Sequence, residues 1–160
     1  MTAALAILSF VTLQRLGELL VARRNTRALL ARGAYEVGAG HYPLIAAVHL
    51  LWLATLWWLA PGRPIAWPLI GLFLVLQGAR LWVLATLGPR WTTRIIVLPG
   101  APLVASGPFR FVRHPNYWVV AGEIALLPLA FGLWQVALLF SLLNALVLTI
   151  RIRVEDRALR

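Results

Sequence analysis

Long apolar stretches alternate along the whole chain with short segments that are rich in arginine, proline and glycine. Five apolar stretches approach the ~20 residues that a helix needs to cross a bilayer. They cover residues 2–21, 42–60, 65–87, 116–130 and 133–150. This pattern predicts an all-α integral membrane protein with five transmembrane helices, of which the last two form a helical hairpin.

Residues 91–98 break the helical pattern, because they are rich in β-prone side chains and are followed by prolines and a glycine. The segment is too short to span the bilayer as a helix, and we interpret it as a cytoplasmic arm that lies against the bundle. We expect one domain over residues 1–160. Residues 1–90 would form three spans, and residues 91–160 would form the arm, the hairpin and a tail that continues the last helix.

Composition supports this interpretation, since 61% of the residues are hydrophobic and only 12% are charged. The net charge of +10 raises the possibility of nucleic-acid binding. In so apolar a chain, however, anionic lipid is the simpler partner, and we expect no nucleic-acid contact. The absence of cysteine excludes disulfides, thiolate metal sites and cysteine catalysis, and we expect no metal site.

The arginines predict the orientation of the chain, because basic residues flank membrane spans on the cytoplasmic side. Twelve of them fall into three clusters: Arg23, Arg24, Arg27 and Arg32; Arg90, Arg94, Arg110 and Arg113; Arg151, Arg153, Arg157 and Arg160. Five spans place these clusters on one side and Arg63 on the other. We therefore expect an external N-terminus, a cytoplasmic C-terminus and a location in a bacterial inner membrane.

A few polar side chains fall within the spans. Arg15 and Glu18 share one helical face, and either form an internal ion pair or extend towards water at the membrane edge. Arg80 shares a face with Gln77, and either contacts a substrate inside the bundle or extends to the surface. His49 stands alone in an apolar helix, which favours a packed or hydrogen-bonded role over a catalytic one.

Residues 107–118 form the densest polar and aromatic run of the chain. His114 precedes a proline and is biased towards an extended conformation, while a helix begins near Asn116. A helix start beside an imidazole and a phenol can hold a small polar ligand. The alternative is a basic loop in which Arg110 and Arg113 bind lipid headgroups.

A longer pattern surrounds this run and continues into the tail. It reads Leu103-Val104-x-x-Gly107-Pro108-Phe109-Arg110-x-x-Arg113-His114-Pro115-x-Tyr117, then a membrane carboxylate, then Arg151-x-x-x-Glu155. This pattern resembles the isoprenylcysteine carboxyl methyltransferase family, whose members are integral membrane enzymes that use S-adenosylmethionine. The resemblance covers about residues 91–160 and is weaker before them.

The resemblance implies roles for individual residues. The implied cofactor contacts are Ala101, Pro102, Leu103, Val104, Phe109, His114, Pro115, Asn116, Tyr117 and Glu155. Phe109 stands where the family often has tyrosine, and Asp156 takes the place of a second carboxylate. Arg151 matches the position that is linked to substrate binding.

We expect His114, Tyr117, Glu123, Arg151 and Glu155 to converge on one cytoplasmic pocket that has a lipid-facing wall. Arg151 would orient the methyl acceptor. A carboxylate acceptor needs no general base, whereas a phenol or enol must lose its proton, and His114 or Glu123 would then be the catalytic base.

Three functions remain open at this point. The leading one is an O-methyltransferase that takes a lipophilic or prenylated acceptor from the bilayer. The acceptor would be a carboxylate of isoprenylcysteine type or a phenolic or pyrone lipid, and the arm is similar to that of bacterial relatives acting on the latter. The others are a phospholipid N-methyltransferase and a non-catalytic membrane scaffold or transporter subunit.

Overall fold

The computed structural model describes residues 2–158. Five α-helices dominate it, which confirms the all-helical prediction. They are α1 (Thr2–Leu30), α2 (Tyr42–Leu59), α3 (Trp67–Leu87), α4 (Pro115–Ala130) and α5 (Trp134–Ala158). Two short antiparallel strands, β1 (Tyr35–Val37) and β2 (Ile95–Val97), join the loop after α1 to the arm. Arg160, which was counted in the tail cluster, lies outside the described residues.

Prolines mark the starts of three helices. A proline lies in the first turn of α2, α3 and α4, where its missing N–H group would have no helical partner. Between α4 and α5 the chain turns at Gly132, whose φ of 68° is in the left-handed region that glycine adopts without strain. These breakers explain why the boundaries of α2, α3 and α4 are close to the expected ones.

The first helix is longer than predicted. We expected the span to end at residue 21 and a separate interfacial helix to cover residues 27–32. Instead α1 runs without a break to Leu30. The reason is that residues 22–30 contain no proline or glycine, and arginine is a good helix former. Near the end of α1, the Asn25 amide donates to the carbonyl oxygens of Gly88 and Trp91 at 3.2 and 2.8 Å, which fixes the arm to this helix.

Four helices, α1, α2, α3 and α5, are long and apolar enough to cross a membrane. The fifth predicted span is α4, which has 16 residues. Its last residue, Ala130, accepts a backbone hydrogen bond of 2.8 Å from Ala66, just before α3 begins. At the other end, the turn Gly107–Arg110 packs against Thr86 in the last turns of α3. The helix α4 therefore runs antiparallel to α3 along most of its length.

The helices enclose a small apolar core and turn many apolar side chains outwards. Trp52, Phe73 and Leu127 are at most 2% exposed, and the Trp52 indole donates to the Ile124 carbonyl at 3.2 Å. On the outer faces, large side chains such as Trp58 are exposed. Exposed apolar surface of this extent fits a lipid environment, and the chain is an integral membrane protein.

Candidate functional site

Side chains from the start of α4 and the end of α5 meet in a group that we call the hairpin cluster: His114, Tyr117, Arg151, Glu155 and Asp156. The Tyr117 hydroxyl donates to Glu155 and accepts from Arg151 Nε at 2.7 Å. His114 Nε2 lies 3.1 Å from Asp156 Oδ1. The His114 and Tyr117 rings stack with their centroids 5.3 Å apart. The structure thus brings together four of the five residues that we expected to converge, and adds Asp156.

The local sequence explains this geometry. His114 has φ −128° and ψ 65°, outside the helical region, because it precedes Pro115. Its ring therefore lies beside Tyr117, one turn into α4. On α5, Arg151 and Glu155 are four residues apart and share a helical face. Since the hairpin is antiparallel, that face meets the start of α4.

Arg151 connects three parts of the protein. Its Nε binds the Tyr117 hydroxyl, its Nη1 donates to the Thr93 carbonyl of the arm at 2.8 Å, and its guanidinium lies 5.5 Å from the centre of the Tyr117 ring. The residue is 9% exposed. Its Nη2 atom takes part in neither bond. The arm, α4 and α5 therefore hold the guanidinium in one orientation.

A second polar group lies deeper in the bundle, and we call it the ion network: Arg15, Glu18, Gln77, Arg80 and Glu123. Glu123 is 0% exposed. Its carboxylate accepts from Arg15 at 2.6 Å, from Gln77 at 2.7 Å and from Arg80 at 2.8 Å. Arg80 also binds Glu18 through two nitrogens, at 2.6 and 2.8 Å. Two guanidinium groups and two carboxylates thus balance in charge between α1, α3 and α4.

The ion network shows that the charged side chains of the spans do not extend to the membrane surface. Arg15 and Glu18 pair internally at 3.3 Å and do not extend to the surface. Arg80 is 5% exposed and uses all three guanidinium nitrogens, so the interpretation that it extends to the membrane edge is wrong. Arg80 lines neither of the two cavities that border α4 and are described below, and its contact with a substrate stays a prediction. His49, outside the network, has Nδ1 2.9 Å from the Ile45 carbonyl, as a hydrogen-bonded histidine should.

Glu123 does not converge with His114, and that expectation is wrong. Six residues separate it from Tyr117, which is a rotation of about 240° around the helix. Tyr117 therefore faces α5 while Glu123 faces α1 and α3. Because its carboxylate is fully buried and bound by two guanidinium groups, Glu123 is not positioned to take a proton from an acceptor at the hairpin cluster.

A cavity of about 450 Å³ adjoins the hairpin cluster between α4 and α5. His114 and Tyr117 line one end of it, and Ser141 and Asn144 line the other. Trp118 also borders a second, apolar cavity of about 290 Å³ beside α3. Sequence reasoning gave Ser141, Asn144 and Trp118 no role, although a serine and an asparagine three residues apart in an apolar span were a visible signal.

The remaining predicted cofactor contacts lie in or next to the loop before α4. Leu103 is 64% exposed, and the Pro102 carbonyl accepts from Arg90 at 2.6 Å. Residues 101–104 and Phe109 line neither of the two cavities. Asn116, in the first turn of α4, has a buried Oδ1 atom with no hydrogen-bond partner within residues 2–158. This acceptor lies between His114 and Tyr117 in the sequence.

Comparison with known proteins gives a family match and two relatives. Residues 69–160 match the model of the isoprenylcysteine carboxyl methyltransferase family. The chain is similar to the uncharacterized protein YpbQ of Bacillus subtilis, with 40% identity over 96% of this chain and 95% of that protein. It is also similar to an uncharacterized protein of Haemophilus influenzae, with 27% identity over 91% of this chain and 88% of that protein. No solved structure matches the chain.

Proposed function

Because the chain belongs to the isoprenylcysteine carboxyl methyltransferase family, a family of membrane methyltransferases, we propose that it is an O-methyltransferase that uses S-adenosylmethionine and a lipophilic acceptor. The observation that carries this proposal is the hairpin cluster. Its imidazole, phenol, guanidinium and two carboxylates lie together at the arginine-rich end of the bundle, next to a cavity between two apolar helices.

The residues present suit this cofactor. S-adenosylmethionine carries a sulfonium and an ammonium group, which the carboxylates of Glu155 and Asp156 complement. Its adenine amino group needs an acceptor, and Asn116 Oδ1 is a buried acceptor without a partner in the described chain. We propose that these residues hold the cofactor with His114 and Tyr117, together with residues 101–104 and Phe109. When bound, it supplies an electrophilic methyl group.

The hairpin cluster would orient the methyl acceptor and remove its proton. Arg151 is held by Tyr117 and Thr93, so its Nη2 group is free of both bonds and can bind an acceptor oxygen. Asp156 accepts from His114 Nε2 when that nitrogen carries the proton, and Nδ1 is then the basic atom. The catalytic base for a phenolic or enolic acceptor would therefore be His114.

The acceptor would reach the cluster from the bilayer. Trp118, Ala145 and Thr149 line the 450 Å³ cavity and are exposed on the outer face of the hairpin. A cavity open on this face gives a lipid tail a path to His114 and Tyr117. Both an isoprenylcysteine-type carboxylate and a phenolic or pyrone lipid match this arrangement.

The decisive experiment is incubation of the purified protein with methyl-labelled S-adenosylmethionine and a total lipid extract. We expect a labelled, chloroform-soluble product whose mass spectrum identifies an O-methyl ester or ether. Labelled phospholipid amines would instead identify an N-methyltransferase. The absence of any labelled product, from protein that binds the cofactor, would contradict the proposal.

We expect Glu155→Gln to weaken S-adenosylmethionine binding by about tenfold or more, because a charge-assisted hydrogen bond contributes about 1.5–3 kcal/mol. Calorimetry in detergent measures the affinity. The matched control is Glu36→Gln. Glu36 lies at the same end of the bundle, and its carboxylate binds Arg94 at 2.9 Å. Equal affinities for both variants and the unaltered protein would contradict a cofactor contact at Glu155.

We propose five spans with the C-terminus in the cytoplasm. Support comes from the path of α4, which runs antiparallel to α3 and returns through α5 to the arginine-rich end. Reporter fusions at Arg63 and at the C-terminus should then report opposite sides of the membrane. If α4 does not cross, four spans remain and both fusions will report the same side.

A further inference from the structure

The end of the 450 Å³ cavity that lies farthest from the hairpin cluster is polar, although it is surrounded by apolar helices. Ser141 and Asn144 line it and are three residues apart on one face of α5. Apolar side chains such as Leu148 separate them from the cluster along the same wall. A cavity that served only an isoprenoid or alkyl tail would need no polar group at this depth.

Asn144 is the unusual residue at that end. The residue is 2% exposed, but within residues 2–158 its carboxamide makes no hydrogen bond and is not fully enclosed, so it opens onto the cavity. A carboxamide offers two donors and two acceptor lone pairs, and a buried one normally finds partners. By contrast, four threonine hydroxyls on the long helices are paired. The hydroxyls of Thr12, Thr55, Thr86 and Thr149 each donate to the carbonyl four residues earlier.

We infer that Asn144, assisted by Ser141, binds a second polar group of the methyl acceptor. This inference rests on the proposed function and names the substrate class more closely. Asn144 and Arg151 are seven residues apart, two turns of helix, which corresponds to about 10 Å along the axis. The acceptor therefore carries a carbonyl, hydroxyl or amide group about 10 Å from the oxygen that receives the methyl group.

This distance corresponds to roughly eight bonds of an extended chain. A plain fatty acid or a plain alkylphenol has no polar group there and would leave the Asn144 carboxamide without a partner. A chain that bears an internal oxygen function would satisfy it. The cavity thus selects an oxygenated amphiphile over a simple hydrocarbon tail of the same length.

Two pairs of probes test the inference by calorimetry in detergent. One pair is a saturated fatty acid with and without a ketone about eight bonds from the carboxylate. The other is a 3-alkylphenol with and without a ketone at the same distance from its hydroxyl. The unaltered protein should bind the ketone member of at least one pair about tenfold more tightly, which equals about 1.4 kcal/mol. Asn144→Leu and Asn144→Ala should both abolish this preference.

The control is Gln135→Leu, which replaces an exposed amide on the same helix outside the cavity and should leave the preference unchanged. Equal binding within both pairs, no binding of any probe, or a preference that survives in both Asn144 variants would overturn the inference. Methyl transfer from labelled S-adenosylmethionine is measured in parallel. A ketone preference that depends on Asn144, without any methyl transfer, would overturn the proposed reaction and leave this binding site standing.

Discussion

Glu123→Gln is expected to destabilise the protein by about 3–5 kcal/mol, because removing one partner of a buried ion pair leaves the opposite charge uncompensated. Glu123 is 0% exposed and binds both Arg15 and Arg80. The substitution keeps the shape of the side chain but leaves the ion network with a net charge of about +1. Unfolding in mixed micelles, followed by tryptophan fluorescence, measures the loss.

A second substitution shows whether charge balance is the cause. In the double variant Glu123→Gln and Arg15→Gln, the network is neutral again and Arg80 keeps its two bonds to Glu18. We expect this variant to regain much of the lost stability. Adding Glu18→Gln to Glu123→Gln should instead destabilise further, since both guanidinium groups then lack a carboxylate.

The control is again Glu36→Gln. Its partner Arg94 has a side chain that is 43% exposed, and a partly solvated pair of this kind contributes only about 0–1 kcal/mol. A loss for Glu123→Gln no larger than for this control would contradict a stabilising role of the ion network. So would a double variant with Arg15→Gln that is less stable than the single one.

The sequence predicted those parts of the fold and site that depend on local rules. Prolines and apolar length gave the positions of the helices, and His114-Pro115 gave the start of α4. The spacing of Arg151 and Glu155 placed both on one face of α5, and the hairpin brought that face to Tyr117. The resemblance over the C-terminal half is confirmed by the family match to residues 69–160.

The parts that were missed depend on contacts between distant segments. The rotation around α4 between Tyr117 and Glu123 shows that the two side chains leave the helix on different faces. It does not identify the partners of Glu123, Arg15 on α1 and Arg80 on α3, which are 108 and 43 residues away along the chain. The pairing of β1 with β2 places Tyr35 opposite Val97. A strand of only three residues carries too short a pattern for β1 to be predicted from the sequence. That the Asn144 carboxamide has no hydrogen-bond partner can be seen only when the position of α4 relative to α5 is known.

Arg151→Lys is expected to lower turnover by about 100-fold, since a misplacement of about 1 Å near the reacting atoms can have an effect of this size. The guanidinium binds Tyr117 through Nε and the Thr93 carbonyl through Nη1, in two directions at once. A lysine ammonium keeps the charge but lacks this planar fork. If Nη2 orients the acceptor, kcat falls and the KM for the acceptor rises, while the affinity for S-adenosylmethionine stays near normal.

Arg153→Lys is the matched control, because Arg153 is exposed on the same helix two residues further on and is outside the hairpin cluster. It should leave turnover and both affinities unchanged. Rates are measured with labelled S-adenosylmethionine on the lipid product, and calorimetry gives the cofactor affinity of the same preparations. A variant that merely loosened the arm would lose affinity for cofactor and acceptor together. Normal turnover in Arg151→Lys, or a cofactor affinity that falls in step with turnover, would show that Arg151 does not orient the acceptor.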